Sequence, residues 1–132
     1  MLTIGLAQYE QMIAHLEDAL PLEGCGLLAG LGGTVTRIYP VDNALSSPHA
    51  YEMDPGQQVE AFLDLEKRGW ELAAIYHSHP NGPDTPSMED ISKSNYTEPY
   101  YIIVSFRDQQ EPMARAFTIR DGESTEVLLQ VG

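Results

Sequence analysis

His77 and His79 stand two residues apart, and Asp90 follows them after a Pro/Gly-rich loop. Two neutral imidazoles and one carboxylate form the ligand set of a catalytic zinc site, with a fourth position left for water. Such a site does hydrolytic chemistry. The stretch reads A-I-Y-H-S-H-P-N-G-P-D-T-P-S-M-E-D from Ala74 to Asp90. A second reading of the same residues is open: two surface histidines at a strand end, with Ser87 and Asp90 as a helix cap and nothing more. A strand before the loop and a helix after it favour the metal.

The elements that must position these groups are short. Leu72 to Tyr76 read as a buried strand. Continued through His79, strand alternation turns both imidazoles to one face and Ser78 to the other. Pro80 lacks an N–H and closes the strand. Asn81-Gly82-Pro83 and Thr85-Pro86 make a loop. Ser87 then caps a short helix, with Asp90 in the first turn, where the helix dipole favours negative charge.

The composition limits what such a site can serve. At 132 residues the chain is expected to be one domain, 1–132, with enough core to fold alone. It holds no apolar run long enough for a membrane span. Its start, Met1-Leu2-Thr3-Ile4-Gly5, lacks the basic and apolar segments of a secretory signal. A single cysteine, Cys25, allows no internal disulfide and fits a reducing compartment, so a cytoplasmic location is expected. The formal charge of −13, with only seven Lys and Arg, argues against nucleic acid and against an acidic membrane surface as partners. The acids are spread along the chain, which suits a solvated, salt-tolerant surface better than a docking patch for a basic partner.

Taken in order, Leu2 to Ile4 read as a first strand. Leu6, Tyr9, Met12, Ile13, Leu16 and Leu20 recur at helical spacing and predict an amphipathic helix over Gly5–Leu20. His15 on that helix has no local partner and reads as a surface or half-buried residue. Glu23 heads an apolar strand in which Gly24 and Gly26 allow another backbone to approach closely. Cys25 reads as a buried filler, because a nucleophilic thiol needs an activating base and the histidines are better explained by metal. Gly32-Gly33 turns the chain into a second strand, Thr34 to Val41. Asp42 to Met53 is a loop long enough to be a flap over the site, with His49 exposed on it. Asp54-Pro55-Gly56-Gln57 starts a helix with a capping-box glutamine, and Val59, Phe62, Leu63 and Leu65 give it an apolar side. Tyr100 to Phe106 is the strongest strand and reads as central, buried on both faces. Met113 to Arg120 and Ser124 to Val131 form a closing hairpin around Asp121-Gly122. The order predicts an α/β fold, with a mixed, mostly antiparallel sheet flanked by helices.

Glu23 with the G-C-G-L-L-x-G run after it, and H-S-H-P-x₆-S-x-x-D from His77 to Asp90, resemble the signature of the JAMM (MPN+) metallopeptidase family. Each element of its E…H-[ST]-H-P-x₆-S-x-x-D pattern is present at the family spacing. The opening helix, the P-x-E-G-C-G-L-L strand and the final hairpin extend the likeness to the compact prokaryotic members over nearly the whole chain.

That resemblance implies a deaminase-like fold and assigns roles. His77, His79 and Asp90 would bind Zn²⁺, one per chain. Glu23 would be the general base on the zinc water, and Ser87 would stabilise the tetrahedral oxyanion. Sequence alone does not choose Glu23 over Glu52 or Glu89; the family match does. The implied substrate is the amide bond after the C-terminal Gly-Gly of a ubiquitin-like or sulfur-carrier protein, whose tail would lie extended. Only Ile91 to Pro99 separate Asp90 from the next strand, too little for the insertion with which eukaryotic members grip a second ubiquitin. This favours the sulfur-carrier substrate. The alternative is a non-catalytic MPN-type binding module for a ubiquitin-like partner, with zinc as a structural staple. A zinc nucleobase deaminase is disfavoured, since its P-C-x-x-C motif needs more cysteine than the chain has.

Overall fold

The computed structural model describes residues 1–132. Along the chain it forms β1 (Leu2–Ile4), α1 (Leu6–Ala19), β2 (Cys25–Leu31), β3 (Thr34–Val41), α2 (Pro55–Lys67), β4 (Glu71–His79), α3 (Met88–Lys93), β5 (Tyr100–Ser105), β6 (Met113–Arg120), β7 (Glu123–Val127) and β8 (Leu129–Val131). The eight strands join one sheet in the order β7-β6-β5-β4-β2-β3-β1-β8. The pairs β2–β3, β2–β4, β5–β6 and β6–β7 are antiparallel; β4–β5 and both pairings of β1 are parallel. This is the expected mixed α/β sheet. The parallel β4–β5 step needs a crossover, and the crossover is the segment carrying Ser87 and Asp90.

Both predicted hairpins form. Gly32 and Gly33 take φ of +60° and +78°, and Asp121 and Gly122 take +52° and +74°. Left-handed backbone at both central positions is the two-residue turn that matches strand twist. The end of the chain departs from the expected single strand. β7 stops at Val127, and after Leu128 alone β8 pairs with β1 at the opposite edge of the sheet. The sheet therefore curls until its edges meet at Leu128. The switch places Leu129 beside Leu2 against the α1-side core and covers the backbone of β1, which would otherwise be an open edge.

The sheet buries a cluster on each face. On one face Met12 and Leu16 of α1 pack with Leu2, Leu28, Tyr76, Ile102 and Val104; on the other, Ala61 and Leu65 of α2 pack with Leu27, Ile75, Tyr101 and Ile119. Leu6, at the start of α1, is exposed. In α2 the expected apolar side is only partly used: Leu65 is buried as expected, together with Ala61, whereas Val59 and Leu63 are exposed. Two residues are about 200° apart on a helix, so the two pairs cannot share a face. Asp54 caps α2 by accepting from Gln57 N–H at 2.9 Å. The Gln57 side chain does not complete a capping box. The Asp54 N–H is already given to the Asp42 carbonyl (3.0 Å), and the glutamine amide pairs with Asp42 instead.

The close approach at Gly24 and Gly26 is made by side chains rather than backbone. A Cβ on Gly24 would meet Leu16, and one on Gly26 would overlap the Tyr76 ring. Tyr76 is fully buried, and His15 Nδ1 lies 2.7 Å from its hydroxyl. His15 is thus a half-buried polar partner on the face away from His77. Gly26→Ala is expected to cost about 1–3 kcal/mol by overpacking, read as a lower urea midpoint; an unchanged midpoint would show that Tyr76 moves freely.

Candidate metal centre

Alternation along β4 works as the sequence predicts. Ser78 turns to the α1 side and accepts the Gly24 N–H at 2.9 Å. His77 and His79 turn to the α2 side, both nearly fully buried. The β2–β4 register pairs Cys25 with His77, and Ser78 N–H donates to the Gly24 carbonyl at 3.1 Å. One more antiparallel step sets Glu23 across from His79, on the same face. This long-range register is what singles out Glu23. Glu52 and Glu89 are exposed, and Glu89 pairs with Lys93 at 2.7 Å.

Asp90 arrives through its helix cap. Ser87 Oγ accepts from Asp90 N–H at 3.0 Å, and Asp90 Oδ2 accepts from Ser87 N–H at 2.9 Å. The same Oδ2 lies 3.0 Å from His79 Nε2, Oδ1 lies 3.2 Å from His77 Nε2, and the two Nε2 atoms are 3.2 Å apart. Capping and convergence are therefore properties of one carboxylate.

These separations fit a small cation. A tetrahedral ion with bonds of about 2.0 Å holds its ligand atoms about 3.3 Å apart. Nitrogen lone pairs and carboxylate oxygens crowded to this distance repel one another unless a cation or protons lie between them. The tautomer agrees. His79 Nδ1 is 2.8 Å from the Pro83 carbonyl, which only accepts, so Nδ1 carries the hydrogen and Nε2 presents its lone pair. His77 Nδ1 is buried without a partner, and the ring is set by stacking on Tyr51 at 4.5 Å and 29°. Burial pushes the His77 pKa down and keeps the ring neutral. Burial opposes ionisation of Asp90, but the two histidines hold its carboxyl far below the usual range. Burial also works against charge on His79; the Asp90 carboxylate outweighs it and raises the pKa.

Glu23 is 5% exposed, and its Oε1 has no partner within the chain. Burial pushes its carboxyl up to about 7, reinforced by Asp90 and Glu89 against a pull from His79. A carboxylate oxygen without a partner, beside a candidate cation site, can accept a hydrogen from water. It also carries a cost. A pKa raised from the ordinary value favours the protonated fold, so this contribution is full below about 4.5 and is lost as pH rises through 7. Metal-free Glu23→Gln is therefore expected to be the more stable protein at pH 8, by about 2 kcal/mol, which discounts the full shift for solvent in the cleft. Urea titrations at pH 5 and pH 8 check it; equal stability at both would contradict the burial of this charge.

Cys25 is buried and its Sγ donates to the Val41 carbonyl at 3.6 Å; burial pushes the thiol up to about 12, so it is no nucleophile. The Asp42–Met53 loop flanks the site as a flap. With Tyr51 and Met53 it helps line a cleft of about 500 Å³ beside His77 and Asp90, together with Ile75, Lys93, Tyr96 and Tyr101. His49 is exposed at its rim. Two residues that hold this arrangement carried no signal of a site. Asn43 Nδ2 donates to the carbonyls of Glu23 and Ala50, at 2.9 and 3.0 Å, and its Oδ1 accepts from Leu45 and Glu52 N–H. Tyr51 supplies the stack on His77. The sequence placed both residues only within the Asp42–Met53 loop.

Comparison with known proteins identifies the family. Residues 6–120 match the family model Prok-JAB, prokaryotic homologs of the JAB domain. A probable TtuB-protein conjugate cleaving protease of Thermus thermophilus is 38% identical over 121 residues, 91% of this chain and 77% of that protein. A CysO-cysteine peptidase of Mycobacterium tuberculosis is 35% identical over 117 residues, 87% of this chain and 80% of that one. The solution structure of a Desulfitobacterium hafniense protein superposes with a TM-score of 0.90 at 37% identity, covering 100% of this chain and 93% of the other. No helix here is long and apolar enough to cross a membrane. The chain belongs to the Prok-JAB family and is an enzyme of the JAMM peptidase type.

Proposed function

We propose that this enzyme hydrolyses the amide bond after the C-terminal Gly-Gly of a ubiquitin-like or sulfur-carrier protein, with one zinc held by His77, His79 and Asp90. The observation that carries the reading is the convergence of both Nε2 atoms and the Asp90 carboxylate, their ligand atoms within 4.8 Å of one another, beside a buried and unpartnered Glu23 carboxyl. The names of the relatives, a conjugate-cleaving protease and a CysO-cysteine peptidase, support the substrate class. That β1 and β8 join the same sheet supports reading residues 1–132 as one domain.

When bound, zinc acidifies a water and polarises a carbonyl. The chain's own groups do the rest. Glu23 takes the proton from the attacking water and passes it to the departing amine. The Ser87 oxygen is occupied in accepting the Asp90 N–H, so its hydrogen is free to donate to the carbonyl oxygen as charge develops there. Tyr51 and the Pro83 carbonyl keep the two imidazoles in place. The extended tail lies in the cleft between the flap and α3.

Ser87→Ala is expected to lower kcat by about 10²–10³-fold, as for loss of one oxyanion donor, and to weaken the α3 cap by about 1 kcal/mol. Steady-state kinetics with a melting curve separate the two effects; a variant that melts lower at full kcat leaves Ser87 as a cap only. The reading as a whole is tested on a sulfur-carrier protein bearing residues after Gly-Gly. The product mass should end at Gly-Gly, disappear on chelation and return with zinc. An intact carrier, or a cut elsewhere, overturns the substrate assignment.

A further inference from the structure

The loop between β4 and α3 has a charged tie to the sheet that the mechanism above does not use. Cross-strand register sets Cys25, His77, Ile103 and Arg115 in one row, so Arg115 projects on the face of the metal centre, two strands from His77. Its Nε donates to Asp84 Oδ2 at 2.7 Å, and its Nη1 to Glu126 Oε1 at 3.1 Å. Asp84 directly follows Pro83, whose carbonyl takes the Nδ1 hydrogen of His79. On the other side of Pro83, the Gly82 carbonyl accepts from Ser105 Oγ at 2.7 Å. The residues on both sides of the orienting carbonyl are thus pinned to the sheet, one by a hydroxyl and one by a guanidinium.

We propose that Arg115 is a positioning residue for the metal centre: through Asp84 it holds the Pro83 carbonyl on His79 Nδ1 and keeps Nε2 of that ring aimed at the ion. The inference rests on the zinc reading of the site. An arginine suits the task because its planar fork engages two carboxylates from two elements, the loop and β7, which fixes direction as well as distance. The chain has only seven Lys and Arg, and one of them stands here. The Arg115 side chain is 40% exposed, so the ion pairs add little to global stability. The effect of losing them is orientation of a ligand, and it appears in metal affinity before it appears in melting.

The test measures the zinc dissociation constant of the full chain by chelator competition, beside the Tm of the metal-free protein. Arg115→Ala and Asp84→Ala should each weaken zinc about tenfold, the low end for groups that orient a ligand from outside. The double variant should be no weaker than either single one, Arg115→Lys should recover part of the loss, and the metal-free Tm should stay near wild type. Arg115→Met, which keeps the aliphatic stem and loses the fork, carries the same expectation should Arg115→Ala fail to fold. Wild-type affinity in Arg115→Ala or Arg115→Met overturns the proposal, as do losses that multiply to about 100-fold in the double variant. These outcomes leave the zinc reading standing. A wild-type chain that binds no zinc overturns that reading and the role of Arg115 with it.

Discussion

Glu23→Gln is expected to lower kcat on a tail-extended carrier by about 10²–10⁴-fold, the usual contribution of a positioned base, while zinc content stays at the wild-type level. The amide keeps the shape of the carboxylate and lies outside the ligand set, so the metal does not depend on it. It lacks the basicity to take a proton from water. The pH profile carries a second mark of the same role. Without metal, burial pushes Glu23 up to about 7; a dication beside it draws the value back down. Wild-type activity should therefore rise with pH along an acid limb below 7, and the residual activity of Glu23→Gln should lack that limb. Zinc lost together with activity would make Glu23 a ligand or a structural group. Full activity in the variant would remove it from the chemistry.

Asp90→Ala is the second substitution with a large expected effect, because it removes two things at once. One is a proposed ligand, and zinc affinity should fall by more than the roughly 10–100-fold typical of groups that only orient ligands. The other is the acid half of the capping box on a helix of six residues, α3. Asp90→Asn separates them. Its side-chain oxygen can still accept from Ser87 N–H, so the cap survives while the charge opposite His77 and His79 is gone. Zinc affinity by chelator competition should therefore collapse in both variants, with the metal-free Tm falling further in Asp90→Ala. Tight zinc binding by Asp90→Asn would show that the carboxylate serves the helix alone.

The parts of the site that were legible in the sequence are those in which chemistry and local geometry coincide. The i, i+2 histidines share a face because any strand alternates, and the Ser87–Asp90 cap follows from spacing alone. Gly32-Gly33 and Asp121-Gly122 announce their turns because few other residues tolerate that backbone. What was not legible depends on register across distant strands. Glu23 reaches His79 only because β2 pairs with β4 with Cys25 opposite His77. Tyr51 reaches His77 only because Asn43 gathers the flap. The switch at Leu128 follows from closure of the whole sheet. In α2 the hydrophobicity of Val59 and Leu63 misdirects, since the face that packs is decided by the smaller Ala61 and by Leu65.

Zinc per chain, measured on the wild type and on His77→Ala/His79→Ala after zinc loading and removal of loose metal, tests the central claim most directly. The convergence of the two Nε2 atoms with Asp90 predicts one zinc per wild-type chain and almost none in the double variant, with trimming of the carrier only by the wild type. A wild-type chain that retains no zinc, or a double variant that retains it in full, would contradict the metal centre on which the proposed chemistry rests.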